Sequence, residues 1–131
     1  MTPPRPLIAA NLIVAGLCLV AATLQYNDPD PLRWIALYGA AAVATVAALH
    51  ARGGWRAALL VAAVAATWAA IVWSGVVGQV AADDLWRKMS EKGGKVEEYR
   101  EAGGLTLVAA WLLAAGLLGR RSAPAPTPAA R

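Results

Sequence analysis

Apolar and polar positions are not mixed evenly along this chain. Four long apolar runs, Leu7–Leu24, Leu32–Leu49, Ala57–Ala82 and Leu105–Leu118, alternate with short polar breaks. A helix needs about 20 residues to cross the hydrocarbon core of a bilayer, with a range of roughly 17 to 25, so the first three runs are adequate spans. The fourth reaches that length if its helix begins before the apolar run. Lys95–Gly104 suits such an extension: Glu97, Glu98, Arg100 and Glu101 would occupy exposed first turns, where carboxylates also favour the positive helix end. The pattern predicts an all-α integral membrane four-helix bundle, connected up-down-up-down. Its spans fall at 7–24, 32–50, 57–82 and 99–119 of a domain covering 7–121, between a flexible lead (1–6) and a disordered Pro/Ala tail (122–131).

Helical spacing then sorts the residues inside the runs. In the first, Asn11, Ala15, Cys18, Ala22 and Gln25 recur every three or four positions and share one face, which is expected to point inward. The two amides either bond across the bundle or sit near the helix ends within reach of water. In the third run Ala62, Ala66, Ala70, Ser74 and Gly78 form a small-xxx-small row, expected to be a close-packed face inside the chain or against a second copy. Trp55 and Trp86 are placed near opposite headgroup layers, while Trp68 and Trp73 lie deeper and pack the bundle. The first run also follows a basic residue, as a secretory signal would. It is longer than the roughly 7 to 15 residues of a signal's apolar core and leads into Gln25-Tyr26-Asn27, so it reads as a retained span.

The breaks carry the polar chemistry. The link from His50 to Arg56 is short and makes the second and third helices antiparallel neighbours; its histidine reads as a solvated helix-end residue. Asp83–Gly104 is the longest polar segment. Its first half can continue the third helix into water, and Gly93-Gly94 is a natural break before the chain turns helical again from Lys95. The knot Gln25-Tyr26-Asn27-Asp28-Pro29-Asp30-Pro31, continued through Arg33 and Trp34 to Tyr38, is too polar for hydrocarbon and belongs at a membrane edge. With four spans, this knot and the Asp83–Gly104 loop share one side of the membrane.

Composition agrees with this picture. Hydrophobic residues make up 59% of the 131 positions and charged residues only 15%, far from a soluble balance. The net charge of +4 comes from basic residues scattered over short loops and a tail, which read as topology charges and not as a nucleic-acid surface. Lysine and arginine are evenly divided between the two sides. All the acidic residues lie on the side opposite the termini, so the expected location is a multi-pass protein of an inner or plasma membrane with cytoplasmic termini. The single cysteine, Cys18, permits neither an intramolecular disulfide nor a multi-cysteine metal site.

The string Gln25-Tyr26-Asn27-Asp28-Pro29-Asp30-Pro31 with Trp34 and Tyr38, followed later by Arg100-Glu101-Ala102-Gly103-Gly104-Leu105, resembles the transmembrane protein 220 family. The likeness runs from the first helix to the fourth and implies a small four-helix membrane protein. It implies no particular activity.

Two kinds of role suit the polar face. Structurally, Asp30 is placed to cap the second helix, with Pro31 as its first residue, and Asn27-Asp28-Pro29 to reverse the chain. Arg33 and Arg100 could pair with carboxylates and clasp the helix-two and helix-four entrances together. Functionally, the candidate binding residues are Gln25, Asn27, Asp28, Asp30, Trp34, Tyr38, Glu97, Arg100 and Glu101. Asp28, Asp30, Glu98 and Glu101 are candidate oxygen ligands for calcium or magnesium. No other cofactor is expected. Three readings follow: an interaction module that meets the lipid bilayer, a membrane protein partner or a second copy through small-residue helix faces and the polar face of the first and third loops; an ion- or small-ligand-binding protein; or an enzyme acting on a lipid head group, with a carboxylate as base and Arg100 on a phosphate.

Overall fold

Prolines set where the first two helices begin. Pro6 stands in the opening turn of α1 (Arg5–Leu24), where its missing N–H leaves nothing unpaired, and Pro31 is the first residue of α2 (Pro31–His50). Two further helices, α3 (Gly54–Val76) and α4 (Lys95–Arg121), complete the chain. The computed structural model describes residues 3–50 and 52–123, so most of the expected disordered tail lies outside the described residues. All four helices are long and apolar enough to cross a membrane, and no strand occurs among the described residues.

α2 is the hub of the bundle. It packs on α1, α3 and α4, while α3 and α4 share the broadest contact and α1 rests mainly on α2. Alanine dominates the core: Ala41, Ala42, Ala44 and Ala48 of α2 meet Ala58 and Ala62 of α3, Leu112 and Ala115 of α4, and Cys18 of α1. In lipid, burying apolar side chains gains nothing over leaving them exposed, so close backbone approach has to hold the helices together. Glycines permit it at the end where the termini lie. A Cβ on Gly119 would collide with the carbonyl oxygen of Ala48, one on Gly54 with that of Ala47, and one on Gly116 would stand 2.7 Å from Leu59.

The expected inner face of α1 is present: Asn11, Ala15, Cys18 and Ala22 are its buried residues. The two amides behave differently. Asn11 is fully buried and its Nδ2 donates to the Thr45 carbonyl of α2 at 2.6 Å, whereas Gln25 turns back to its own helix and donates to Ala21 at 3.2 Å.

Two expectations for α3 are corrected. Its packed face is Gly54, Ala58, Ala62, Ala65 and Ala69, so of the predicted small-residue row only Ala62 is buried, while Ala66, Ala70, Ser74 and Gly78 are exposed. The predicted row advances by four each time and drifts around a 3.6-residue helix; the packed face corrects the drift with one step of three, from Ala62 to Ala65, among its steps of four. The helix also stops at Val76, short of the expected 82, and does not continue into water. Gly78 there adopts φ of +79°, a left-handed conformation that ends helices.

Two tryptophans join α3 to its neighbours, as expected of packing residues, although Trp73 stands in the last turn of the helix and not deep within it. Trp68 stacks on Trp34 of α2 with ring centroids 4.5 Å apart. Trp73 meets Tyr99 of α4 edge-on at 5.3 Å and donates from Nε1 to Thr106 Oγ1 at 2.9 Å.

Candidate functional site

The polar knot after α1 and the start of α4 meet at one end of the bundle. α1 runs into a single 3-10 turn, Gln25–Asn27, which Asp28 closes by bonding its N–H to the Gln25 carbonyl at 3.0 Å. Asp28 Oδ1 then accepts the N–H of Asp30 at 2.9 Å. The carboxylate of Asp28 therefore orders the turn, as expected of Asn27-Asp28-Pro29, while Asp30, the expected cap of α2, turns its carboxylate to Arg33. On the other side Gly93 and Gly94, at φ of +65° and +84°, turn the chain into α4. The first turns of that helix place Glu97 and Glu101 four residues apart on one face.

As a result Asp28, Glu97 and Glu101, all half-buried, each bring a carboxylate oxygen within 4.8 Å of the others. Helix stability does not explain this arrangement, because like charges four apart on a helix cost about 0.2–0.5 kcal/mol and Asp28 adds to the repulsion. Nor do cations from the chain neutralise it. Among the described residues the ion pairs of the α1–α2 turn and of the start of α4 are local: Asp30 with Arg33 at 3.3 Å, and Glu98 with Lys95 at 2.7 Å. Arg33 lies within Coulombic reach of Glu101 without pairing to it. No ion pair joins the Asp28 turn to α4, so the arginine clasp is not formed among the described residues.

This geometry sorts the candidate ligands. Asp28 and Glu101 come together, and Glu97 joins them. Asp30 and Glu98 stand apart, each drawn to a basic partner three residues away on its own segment, the spacing at which helical side chains meet. Asn27 and Arg100 are exposed, and Gln25 is spent on its own helix.

Aromatic side chains line the neighbouring part of α2. Trp34 is buried, stacks on Tyr38 at 6.1 Å as well as on Trp68, and carries the Arg33 guanidinium 5.6 Å from its ring centroid. A Cβ on Gly104 would stand 3.2 Å from the Tyr38 hydroxyl oxygen, so the missing side chain makes room for the phenol. That accounts for one glycine of Arg100-Glu101-Ala102-Gly103-Gly104-Leu105; Ala102 and Leu105 are fully buried, and Gly103 meets nothing.

One organising residue escapes sequence reasoning. Asp84, expected only to extend α3, is 2% exposed and holds the α3–α4 loop together. Its carboxylate accepts the N–H of Ala81 at 2.8 Å and pairs with Arg87 at 2.7 Å and Lys92 at 2.5 Å. The Ala81 N–H, then the Lys92 hydrogen bond, hold its carboxyl below the usual carboxylate range. Lys92 reaches it from left-handed backbone, φ of +54°. The Asp84–Arg87 spacing of three was visible in the sequence; the Lys92 contact depends on the turn and was not.

Residues 17–116 match the family described as Transmembrane family 220, helix. No curated protein and no solved structure matches the chain.

Proposed function

The chain belongs to transmembrane family 220, and from that premise we propose that it is a binding module of the membrane whose loop-side polar face takes a divalent cation at Asp28, Glu97 and Glu101. One observation carries the reading: three carboxylates from two separate segments converge within 4.8 Å, and none has a basic partner among the described residues. Such a set suits a hard, oxygen-seeking ion, calcium or magnesium, with water completing the shell. A bound cation would tie the α1–α2 turn to α4, the join that an arginine clasp would otherwise make. The face lies on the side away from the termini, which we place in the cytoplasm.

Equilibrium dialysis of the detergent-purified chain against calcium and against magnesium tests this directly. Saturable binding of about one ion per chain, lost in Asp28→Asn and in Glu97→Gln but kept in Asp30→Asn, is the expected result for a site with a few carboxylate ligands. Absence of saturable binding by the wild type overturns the cation reading. An interaction role rests on a different feature, the row Ala66, Ala70 and Ser74 that the core leaves exposed on α3. Cross-linking from position 70 in bilayers tests whether a second copy or a partner helix packs there.

A further inference from the structure

We propose that the α3–α4 loop is an interfacial anchor, a folded segment that lies on the lipid surface of the chain's own membrane through Leu85, Trp86 and Met89. The loop is not a slack linker. Asp84, inside the 3-10 turn Ala82–Trp86, ties Ala81, Arg87 and Lys92 to one buried carboxylate, and Lys92 belongs to a second short turn, Glu91–Gly94. Held in this way, the loop presents apolar side chains outward. Trp86 is 87% exposed, and Leu85 and Met89 are exposed beside it. The loop buries the Asp84 carboxylate and turns the Trp86 indole outward, while Asp83, Arg87 and Lys88 are exposed beside it, an amphipathic surface suited to the boundary between head groups and hydrocarbon.

The place of the loop in the bundle identifies what covers these residues. α3 ends level with the start of α4: Trp73 lies against Tyr99, and a Cβ on Gly75 would be 3.7 Å from Glu98 Oε2. At this same end the helix termini still show apolar side chains to their surroundings, Leu32 at 81% and Val77 at 71% exposure, with Leu24 and Tyr26 beside them. That belt marks where the hydrocarbon gives way to head groups. The loop starts at Val77, within the belt, and Leu85, Trp86 and Met89 follow on the same side of the membrane. Indole prefers the interfacial layer, where its ring is in apolar surroundings and its N–H still finds a polar partner. Lys88, exposed beside Trp86, suits the phosphate layer.

The test uses the full chain in phosphatidylcholine nanodiscs and does not depend on the cation. Six tryptophans emit together, so the signal of Trp86 is taken as the difference between wild type and Trp86→Phe. That substitution, at an exposed position, leaves the bundle core untouched. The difference signal should be lost in large part when the acyl chains carry bromine near the glycerol, and should resist iodide in the water. A difference signal removed by iodide and indifferent to brominated lipid would overturn the proposal; the loop would then face water and be free for a soluble partner.

Discussion

Replacing Glu101 by glutamine separates a cation site from a structural clasp by the sign of the effect. The two side chains have nearly equal helix propensity and size, so the substitution reports charge. Without metal, it removes the repulsion between Glu101 and Glu97 four residues away, about 0.2–0.5 kcal/mol. It also removes the contact with Asp28, a half-exposed pair comparable in size to a surface ion pair, about 0.2–1 kcal/mol, but of opposite sign. In chelator the variant should therefore be the more stable protein by roughly 0.5–1.5 kcal/mol. At a metal concentration about 100 times the dissociation constant the wild type gains about 2.7 kcal/mol and the variant little, so the order reverses. The assay is denaturant or thermal unfolding in mild detergent at low salt, both proteins side by side, with chelator and with calcium or magnesium. A variant less stable than wild type in chelator, with a gap that metal does not change, refutes the reasoning and makes Glu101 a structural carboxylate.

Three further outcomes follow from the packing and the loop. Gly119→Val drives a side chain into the Ala48 carbonyl and should cost about 1–3 kcal/mol, whereas Gly103→Ala meets nothing and should be neutral or stabilise by up to about 1 kcal/mol; thermal unfolding of both checks the pair. Asn11→Leu removes the bond to Thr45 and should lower stability by about 0.6 kcal/mol and not more than about 1.7, read by unfolding in mixed micelles. Because the Asp84 carboxyl is depressed in the folded loop, its contribution is complete above the unfolded carboxylate value, near 4, and is lost as pH falls through the lower folded value. Amide exchange of residues 81–92 should accordingly quicken in that acid window in the wild type, while Asp84→Asn should exchange fast at neutral pH and show no such step.

What the sequence by itself determined is the membrane architecture. Lipid demands long, internally bonded apolar helices, and such runs are read directly from hydropathy, while Pro31 at the start of α2 and the glycine pair before α4 are read from local backbone chemistry; that α1 begins at Arg5, inside the expected lead, was not. The inner face of α1 was legible for the same reason, because helical periodicity is local. Tertiary structure decided what depends on meeting a partner. Which α3 face packs turned on where its own Gly54 meets the Ala47 carbonyl of α2 and where its Leu59 meets Gly116 of α4, and the simple every-fourth row missed it. Glu97 rather than Glu98 or Asp30 joined Asp28 and Glu101 because helix phase aims one glutamate at the turn and leaves its neighbour to Lys95. The role of Asp84 likewise depended on a left-handed lysine eight residues away. Charges at a membrane edge can be counted along a chain, but only the fold sets the distances at which they attract, repel or gather an ion.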